Sequence, residues 1–436
     1  MGEWDGRRLH FVGIGGAGMS GLAVVSARLG AAVTGSDAAE SPYLDRVRAA
    51  GISPAIGHDA ANLPANDAGQ GDVEVVVSTA ISEENPERVT ARSRSLRELH
   101  RGELLGQVAA LRRCIAVTGT HGKSTTSAML VRILRGAGLD PSYLVGASLT
   151  ETGTNAELGT GEWVVVEADE SDRSLLHLRP EIAVVTNLEL DHHSTYSSRL
   201  DLEETIRSFL SQAERVVEWS EPEVSLDAEG SSFLWKTGIE GEPGEGVSVR
   251  LPVPGRHNAL NAAAALSAAA LAGVDPAVAA EALASFRPAG RRFERVGETE
   301  AGAVVYDDYA HHPTEVAATL AAARTLGPRR LVAVFQPHLY SRTAALWREF
   351  GTALAAADVV VVLDVYRARE DPADWPGVDG HLVAAATADE AGGRTVAWLP
   401  DRDAAEPFLR RELRPDDLLI TLGAGDIDEL ARRLVA

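Results

Sequence analysis

Short apolar runs rich in β-branched residues alternate with longer alanine-rich stretches along this chain, and this alternation constrains the fold more than any other feature. Runs such as 114–118, 163–167 and 359–363 are separated by segments with the spacing and composition of helices. Strands that alternate with helical stretches are typical of parallel sheets covered by helices. The sequence therefore predicts an α/β protein.

The chain has 436 residues, a length that suggests two to four domains. We predict three consecutive domains: a Rossmann-like domain over residues 1–108, a P-loop ATPase-like domain over 109–289 and a second Rossmann-like domain over 290–436. The second boundary falls within an Arg-Pro-Ala-Gly segment that interrupts the pattern. The predicted strands are 9–14, 32–35, 73–78, 114–118, 163–167, 182–186, 303–306, 331–335, 359–363, 395–399 and 418–422, with surface hairpins over 221–246.

The composition of the chain indicates which binding partners and which cellular compartment to expect. The net charge of −22 argues against nucleic acid, because phosphate backbones demand a basic surface. Cys114 is the only cysteine, so no disulfide forms within the chain, as suits a reducing cytoplasm. The polar N-terminus has no signal-peptide core, and the alanine-rich stretch 259–274 falls short of the roughly 20 apolar residues of a membrane span. We expect a cytoplasmic protein without a membrane partner.

The sharpest motif is a glycine-rich turn between a predicted strand and a predicted helix. Its residues are Gly119, Thr120, His121, Gly122, Lys123, Ser124 and Thr125. Backbone N–H groups in such a turn point at a bound anion, and the helix N-terminus adds positive potential. Lys123, one of two lysines in the chain, would contact nucleotide phosphates, and the Ser124 hydroxyl would bind Mg²⁺. Val117 stands where the usual pattern has glycine, so this is a variant phosphate loop, and the alternative is a glycine-rich turn with an exposed lysine.

Two further strand ends carry polar side chains. The segment 167–172 holds four carboxylates in six residues, which suits Mg²⁺ but also suits a solvated acidic loop. The segment 187–193 ends in adjacent histidines, which could ligate a metal, orient a phosphate or simply cap a loop.

The N-terminal turn from Gly13 to Gly18 fits the G-x-G-x-x-G pattern after a strand, and Asp37 ends the next strand. This pattern indicates a diphosphate at the N-terminus of a helix but does not say whether it belongs to NAD or to a UDP-sugar. Its candidate ligand-binding residues are Gly13, Gly15, Gly16, Ala17, Gly18 and Asp37.

The C-terminal domain has polar clusters over 307–315 and 335–343, each following a strand. Arg342 could steady the charge of a transferred phosphate or of an amino-acid carboxylate. The pair Arg291–Arg292 at the domain boundary could do the same, although an arginine pair is more often a solvated surface.

Together these segments resemble the Mur ligases, and within them the branch that adds L-alanine. The resemblance covers nearly the whole chain, and its matching segments are residues 10–20, 119–125, 167–172, 187–192, 254–258, 291–293, 307–315, 335–343 and 364–366. The chain departs from typical relatives at Ser194, Leu339 and Arg369.

The resemblance implies an ATP-dependent ligase of peptidoglycan precursor synthesis that joins UDP-N-acetylmuramate to L-alanine through an acyl phosphate. It implies ATP binding by the loop 119–125 and by His257, Asn258, Arg292 and Asp308. It implies catalytic roles for Lys123, Glu170 and His192, with two Mg²⁺ ions held by Ser124, Glu170 and His192. It places the UDP-sugar at the N-terminal glycine turn and the amino acid at His338, Tyr340 and Arg342.

Three alternatives remain at this point. A recycling ligase that adds a whole tripeptide to UDP-N-acetylmuramate shares most of these motifs. An NAD-dependent oxidoreductase would use the N-terminal glycine turn but would leave the Lys123 loop unexplained. A nucleotide-gated binding protein would lack ligase chemistry.

We expect the Lys123→Ala variant to lose on the order of 10²–10³ in turnover, because the ammonium stabilises phosphoryl charge in the transition state. Phosphate release from ATP in the complete reaction measures this loss. Lys236→Ala, which removes the other lysine, is the matched control, and near-wild-type turnover of Lys123→Ala would refute the role of that side chain.

Overall fold

The computed structural model describes residues 2–65, 71–191, 195–217, 219–236, 246–368 and 370–436. Its strands form separate sheets along the chain, as the alternation of apolar runs predicts. Each predicted strand coincides with an observed strand, and the ends differ by no more than two residues.

The first sheet is wholly parallel, with strand order β3-β2-β1-β4-β5. Its strands are β1 (Arg8–Val12), β2 (Ala32–Asp37), β3 (Ala55–Ile56), β4 (Val73–Val77) and β5 (Glu98–His100). The accompanying helices are α1 (Ala17–Arg28), α2 (Pro42–Ala49), α3 (Pro86–Ser93) and α4 (Arg101–Ala109). The proposed boundary at residues 108–109 falls in the last turn of α4.

The second sheet has the order β11-β10-β6-β9-β7-β8 and is parallel except for the β7–β8 pair. Its strands are β6 (Arg113–Thr118), β7 (Ser142–Leu144), β8 (Ala156–Glu157), β9 (Trp163–Glu167), β10 (Ile182–Val185) and β11 (Arg215–Val216). A small antiparallel sheet follows, as the hairpin prediction requires, with strands β12 (Val224–Asp227), β13 (Gly230–Lys236) and β14 (Gly246–Leu251). The helices are α5 (Lys123–Gly136), α6 (Arg199–Leu210), α7 (Arg256–Leu271) and α8 (Pro276–Leu283).

The third sheet has the order β15-β16-β20-β17-β18-β19. Its strands are β15 (Glu294–Glu298), β16 (Val304–Asp308), β17 (Arg330–Phe335), β18 (Val359–Val362), β19 (Thr395–Trp398) and β20 (Asp417–Leu422). The helices are α9 (Pro313–Thr325), α10 (Tyr340–Leu354), α11 (Gly380–Glu390), α12 (Arg402–Glu412) and α13 (Asp428–Val435). Edge strand β15 was not predicted; it runs antiparallel to β16 and carries mostly polar, exposed residues.

The first two sheets share one continuous apolar core. Leu9, Phe11 and Leu104 belong to the same buried cluster as Val166 and Phe209. Helix α4 packs so closely on the central domain that a Cβ atom on Gly106 would lie 2.4 Å from the carbonyl oxygen of His177. Burial of shared apolar surface therefore fixes the first domain to the second.

The third domain is attached differently. Its sheet has its own apolar clusters on both faces. Among the described residues, its bonds to the central domain include the hydrogen bond from Thr314 Oγ1 to Glu189 Oε2 at 2.6 Å and the ion pair of Arg342 with Asp191. Such an interface permits relative motion of the domains more readily than a large apolar one.

No helix among the described residues combines the length and the apolar character that crossing a bilayer requires.

We expect Gly106→Ala to destabilise the first two domains together by about 1–3 kcal/mol, because the added methyl group overpacks the α4 contact and outweighs the gain in helix propensity. Urea unfolding followed by tryptophan fluorescence measures the change. Gly71→Ala is the matched control, since its Cβ would meet no closer atom than the Gly6 carbonyl oxygen at 3.4 Å. An unchanged unfolding midpoint in Gly106→Ala would contradict the close packing.

Candidate active site

The phosphate loop joins β6 to α5 and approaches its neighbours at two glycines. A Cβ atom on Gly119 would lie 2.2 Å from Thr186 Oγ1, and one on Gly122 would lie 2.2 Å from Asn261 Oδ1. Both glycines also have positive φ, 130° and 79°. Any other residue at these positions would therefore be strained and would displace the loop. Gly122 precedes α5 without a capping side chain, so no cap competes with an anion for the first-turn amides.

The segment after β10 holds the phosphate loop in place. Asn187 Oδ1 accepts from the His121 amide at 2.9 Å, and Asn187 Nδ2 donates to the His121 carbonyl oxygen at 2.9 Å. The Thr120 hydroxyl donates to the Glu189 carbonyl oxygen at 2.8 Å and accepts from the Glu189 amide at 2.9 Å. The segment after β10, which the sequence suggested as a metal or phosphate site, therefore also fixes the position of the phosphate loop.

The side chain of Lys123 folds back onto the backbone of the phosphate loop. Its Nζ donates to the carbonyl oxygens of Gly119 at 2.6 Å and Thr120 at 3.1 Å, and it lies 2.8 Å from a carboxylate oxygen of Glu170. Burial alone would lower the pKa of this amine, but the carboxylates of Glu170, Asp169 and Glu167 outweigh burial and raise it. The side chain is therefore a fixed cation, which is the property that binding of nucleotide phosphates requires.

Ser124 and the acidic strand end together offer hard oxygen donors. Ser124 Oγ donates to Glu167 Oε2 at 2.9 Å, and the same carboxylate accepts from the Gly146 amide at 2.6 Å. Glu170 is 1% exposed and lies on the other side of Lys123. A hydroxyl and two carboxylates around a phosphate loop are a donor set that fits Mg²⁺.

The N-terminal glycine turn leads directly into helix α1. Gly16 precedes this helix and supplies no capping side chain, so its first amides are oriented for a diphosphate. Asp37 Oδ2 accepts from the Gly15 amide at 2.7 Å. That carboxylate therefore stabilises the turn itself, whereas in an NAD site the corresponding acid binds the ribose.

A cavity of about 350 Å³ connects the glycine turn with the acidic strand end. Its lining includes Gly16, Ala17 and Gly18 from the first domain and Glu167 and Asp169 from the second. A ligand with a diphosphate at the turn would therefore reach the carboxylates beside the phosphate loop.

Arg101, which the sequence did not single out, also lines this cavity and crosses the domain junction. Its guanidinium lies 3.3 Å from Asp169 and 2.7 Å from Asp172. It supplies positive charge in a cavity that otherwise carries carboxylates, and it faces the start of α1 at Gly18.

A second cavity, of about 270 Å³, lies between the phosphate loop and the third domain. Seven of the eleven residues expected to bind ATP line it, and the other four, Gly119, Thr120, Lys123 and Ser124, belong to the same phosphate loop without lining this cavity; the seven are His121, Gly122, Thr125, His257, Asn258, Arg292 and Asp308. Trp219, Asn261 and Glu315 line it as well and were not predicted. The structure thus brings together side chains that are up to about two hundred residues apart in the chain.

Burial in the lining of the second cavity shifts the pKa values of two titratable groups, His257 and Asp308. It lowers the pKa of His257 to about 4, so the imidazole is neutral at physiological pH. It raises the pKa of Asp308 to about 6, against the effects of Arg292 and of the amides of Ala310 and Phe293. The Asp308 carboxylate accepts from Phe293 N at 2.7 Å and from Ala310 N at 2.8 Å, which fixes the linker between the domains.

The two arginines of the linker have different environments. Arg291 bonds Asp307 at 2.9 Å and the Gly423 carbonyl oxygen at 2.6 Å, so its role is to hold the third domain together. Arg292 lines the second cavity with its guanidinium 4.9 Å from the centre of the Tyr309 ring.

The residues expected to bind the amino acid lie at the end of β17. His338 stacks on Tyr366 with 5.7 Å between ring centroids, and Tyr340 begins α10. Leu339 between them has a φ of 72°, a strained conformation for a leucine. Backbone strain of this kind is typical of functional sites.

Arg342 makes a contact that the sequence did not predict. Its Nε and Nη2 atoms donate to the two carboxylate oxygens of Asp191, each at 3.1 Å. Both side chains are about 95% buried at the seam between the central and third domains. In this arrangement Arg342 holds the third domain against the strand end that follows β10.

Not every expected residue falls in the described part of the chain. His192, Ser194 and Arg369 lie outside the described residues. The interdomain carboxylates Asp191, Glu189 and Glu315 were not assigned roles from the sequence, because a single acidic residue in a loop carries no signal of its distant partner.

We expect Asp191→Asn to shift the third domain away from the central domain. The substitution leaves the buried Arg342 guanidinium without a compensating charge, at a cost of about 3–5 kcal/mol. Small-angle X-ray scattering should show a larger radius of gyration. Glu406→Gln, which removes an exposed ion pair with Arg410, is the matched control, and identical scattering from wild type and Asp191→Asn would contradict a closing role for the buried pair.

Comparison with known proteins agrees with this architecture domain by domain. Residues 8–113 match the catalytic domain of the Mur ligase family, residues 117–217 match the Mur ligase middle domain, and residues 291–425 match the Mur ligase glutamate ligase domain. The chain is 45% identical to the UDP-N-acetylmuramate–L-alanine ligase of Rubrobacter xylanophilus, over 98% of this chain and 99% of that protein.

Solved structures give the same result. The UDP-N-acetylmuramate–alanine ligase of Thermotoga maritima superimposes with a TM-score of 0.82 at 28% identity, over 98% of both chains. A murein peptide ligase from Psychrobacter arcticus superimposes with a TM-score of 0.67 at 26% identity, again over 98% of both chains. With its phosphate loop, its glycine turn and its three matching domains, this chain belongs to the Mur ligase family.

Proposed function

We propose that this chain joins the carboxylate of UDP-N-acetylmuramate to the amine of L-alanine, using ATP and releasing ADP and phosphate, in peptidoglycan precursor synthesis. The relatives that match almost the full length of the chain carry this activity in their names.

One structural observation carries the proposal. Both cavities adjoin the phosphate loop: Glu167, which lines the cavity that reaches the N-terminal glycine turn, accepts from the Ser124 hydroxyl, and His121 of the same loop lines the cavity that reaches the third domain. A UDP-sugar in the first cavity and ATP in the second would meet at the phosphate loop. The sugar carboxylate and the γ-phosphate would then be held within reach of each other, which is the main requirement of phosphoryl transfer.

In the first step, a carboxylate oxygen of the sugar attacks the γ-phosphorus of ATP, and the bond to the β-phosphate oxygen breaks. The products are an acyl phosphate and ADP. Lys123 and the first-turn amides of α5 lie where negative charge accumulates on the phosphoryl oxygens.

In the second step, the neutral amine of L-alanine attacks the acyl carbon, an amide bond forms and inorganic phosphate leaves with the C–O bond electrons. The amine loses a proton as the amide forms. Water would hydrolyse the acyl phosphate, so the docked third domain, held by Arg342 and Asp191, has the role of excluding it. We assign His338 and Tyr340 to the alanine site, with Arg342 at its inner edge.

Mg²⁺ would neutralise phosphate charge at this site. We propose two ions, with Ser124 and Glu170 as ligands together with His192, which lies outside the described residues. Glu167 is an additional candidate because it contacts the Ser124 hydroxyl.

We further propose domain roles that follow the ranges predicted above. Residues 1–108 hold the UDP-sugar, residues 109–289 bind ATP and residues 290–436 form a lid that brings the amino acid. We place the enzyme in the cytoplasm.

The alternatives are less well supported. The murein peptide ligase superimposes less closely than the alanine ligase, which favours L-alanine over a tripeptide. An oxidoreductase is not favoured, because Asp37 is bonded to the glycine turn and the Lys123 loop would have no role. A binding protein without chemistry does not account for the full-length match to ligases.

The decisive experiment measures phosphate release from ATP by the purified protein with Mg²⁺ and UDP-N-acetylmuramate, in parallel with L-alanine or the tripeptide. We expect release that depends on L-alanine and a product heavier by one alanyl residue in mass spectrometry. Release with the tripeptide alone would move the protein to the recycling branch. No release with either amine would refute the proposed substrates.

A further inference from the structure

Three potential metal ligands converge at the seam between the central and third domains. They are His121 in the phosphate loop, Glu189 after β10 and His312 immediately before α9. One ligand atom from each lies within 4.8 Å of the other two. We call these three residues the seam cluster.

The distances within the seam cluster approach those of a metal site. Glu189 Oε2 lies 3.5 Å from His121 Nε2 and 3.7 Å from His312 Nδ1. In a tetrahedral site with bonds of about 2.0–2.1 Å, neighbouring ligand atoms are about 3.3–3.4 Å apart. The two distances to Glu189 are therefore within a few tenths of an ångström of this spacing, and the two histidine nitrogens, which lie within 4.8 Å of each other, would close on the ion from either side of the carboxylate.

The two imidazoles have nitrogens that lack other partners. His312 is 6% exposed, and neither of its ring nitrogens has a hydrogen-bond partner among the described residues. Nε2 of His121 faces only Glu189 within that part of the chain, at 3.5 Å, the outer limit of a hydrogen bond. Buried polar atoms are almost always satisfied in native proteins, so these nitrogens point to a ligand between them.

The surroundings of His121 resemble those of a metal-bound histidine. Its other nitrogen, Nδ1, lies 3.2 Å from Glu315 Oε1. The Glu315 carboxylate is itself held by the amides of His311 at 2.9 Å and His312 at 3.2 Å. A carboxylate on the far nitrogen is the usual means of orienting a histidine toward a metal.

The chemical nature of the three ligands determines which metal ions the seam cluster would bind. Two imidazoles and one carboxylate suit Zn²⁺, Co²⁺ or Ni²⁺, whereas Mg²⁺ prefers an all-oxygen site such as Ser124 and the carboxylates at 167–170. Three protein ligands also leave one position open for water or another small ligand.

We propose that the seam cluster binds one transition-metal ion of the Zn²⁺ class, which bridges the central and third domains. His312 comes from the third domain and the other two ligands from the central domain, so the site is complete only when the domains are docked. The ion stabilises the docked arrangement. Because His121 and Glu189 line the nucleotide cavity, it also competes with MgATP.

The test uses the untagged full chain without nucleotide or sugar, so its outcome does not depend on the proposed ligase activity. Titration with Co²⁺ should give the strong visible absorption of tetrahedral cobalt, and calorimetry with Zn²⁺ should show one ion per chain at this site. His312→Ala should weaken Zn²⁺ binding by more than about 100-fold, since losing even an outer partner of a ligand costs about 10–100-fold. His381→Ala, a histidine elsewhere in the third domain that packs on Trp398, is the matched control and should bind as wild type.

A second variant distinguishes the loss of a metal ligand from misfolding of the protein. His312→Cys should retain Co²⁺ binding and add a sulfur-to-cobalt charge-transfer band, which appears only if residue 312 is a ligand. Zn²⁺ should also weaken binding of a fluorescent ATP analogue to wild type but not to His312→Ala. Absence of binding by wild type would overturn the proposal, as would equal affinity in folded His312→Ala or a cobalt complex of His312→Cys without the sulfur band.

Discussion

The buried charge of Lys123 is the interaction around which the rest of the site is arranged. Its ammonium joins two carbonyl oxygens of its own loop to Glu170, so the loop and the acidic strand end fix each other. The backbone of Glu170 is fixed in turn, because its carbonyl oxygen accepts from the Tyr196 hydroxyl at 2.6 Å. The segment after β10 completes the arrangement by bonding the opposite side of the loop. Phosphate loop, acidic segment and second strand end are therefore one structural unit.

The two domain junctions differ in a way that suits an enzyme with a reactive intermediate. The first and second domains share an apolar core, which makes the path from the glycine turn to the phosphate loop a rigid one. Among the described residues, the bonds at the junction with the third domain are instead charged and polar: the exposed Thr314–Glu189 contact exchanges for water at little net cost, whereas the buried Arg342–Asp191 pair holds the docked arrangement. The fixed junction between the first and second domains thus positions the substrates, and the movable junction with the third domain excludes solvent.

Local patterns in the sequence determine much of this structure, and the reason lies in burial. Strands such as Val359–Val362 are buried along their whole length, so their apolar runs identify them, and the glycines of the phosphate loop are required by steric contact and by φ. The edge strand Glu294–Glu298 has no such pattern, because most of its side chains face water. The pairing of Arg342 with Asp191 spans 151 positions, and nothing local to either residue specifies its partner. The seam cluster was missed for the same reason, although its three members, His121, Glu189 and His312, lie in separate segments that the sequence identifies.

The scarcity of lysine has a practical consequence for chemical labelling. Lys123 is enclosed in the phosphate loop and held as a cation, and Lys236 is exposed at the end of β13 in the antiparallel sheet of the central domain. Reagents that acylate neutral amines will therefore find one accessible lysine side chain on this protein. A fluorophore attached there stands on the pair of domains that share one apolar core, and it serves as a fixed reference from which displacements of the third domain can be followed by energy transfer.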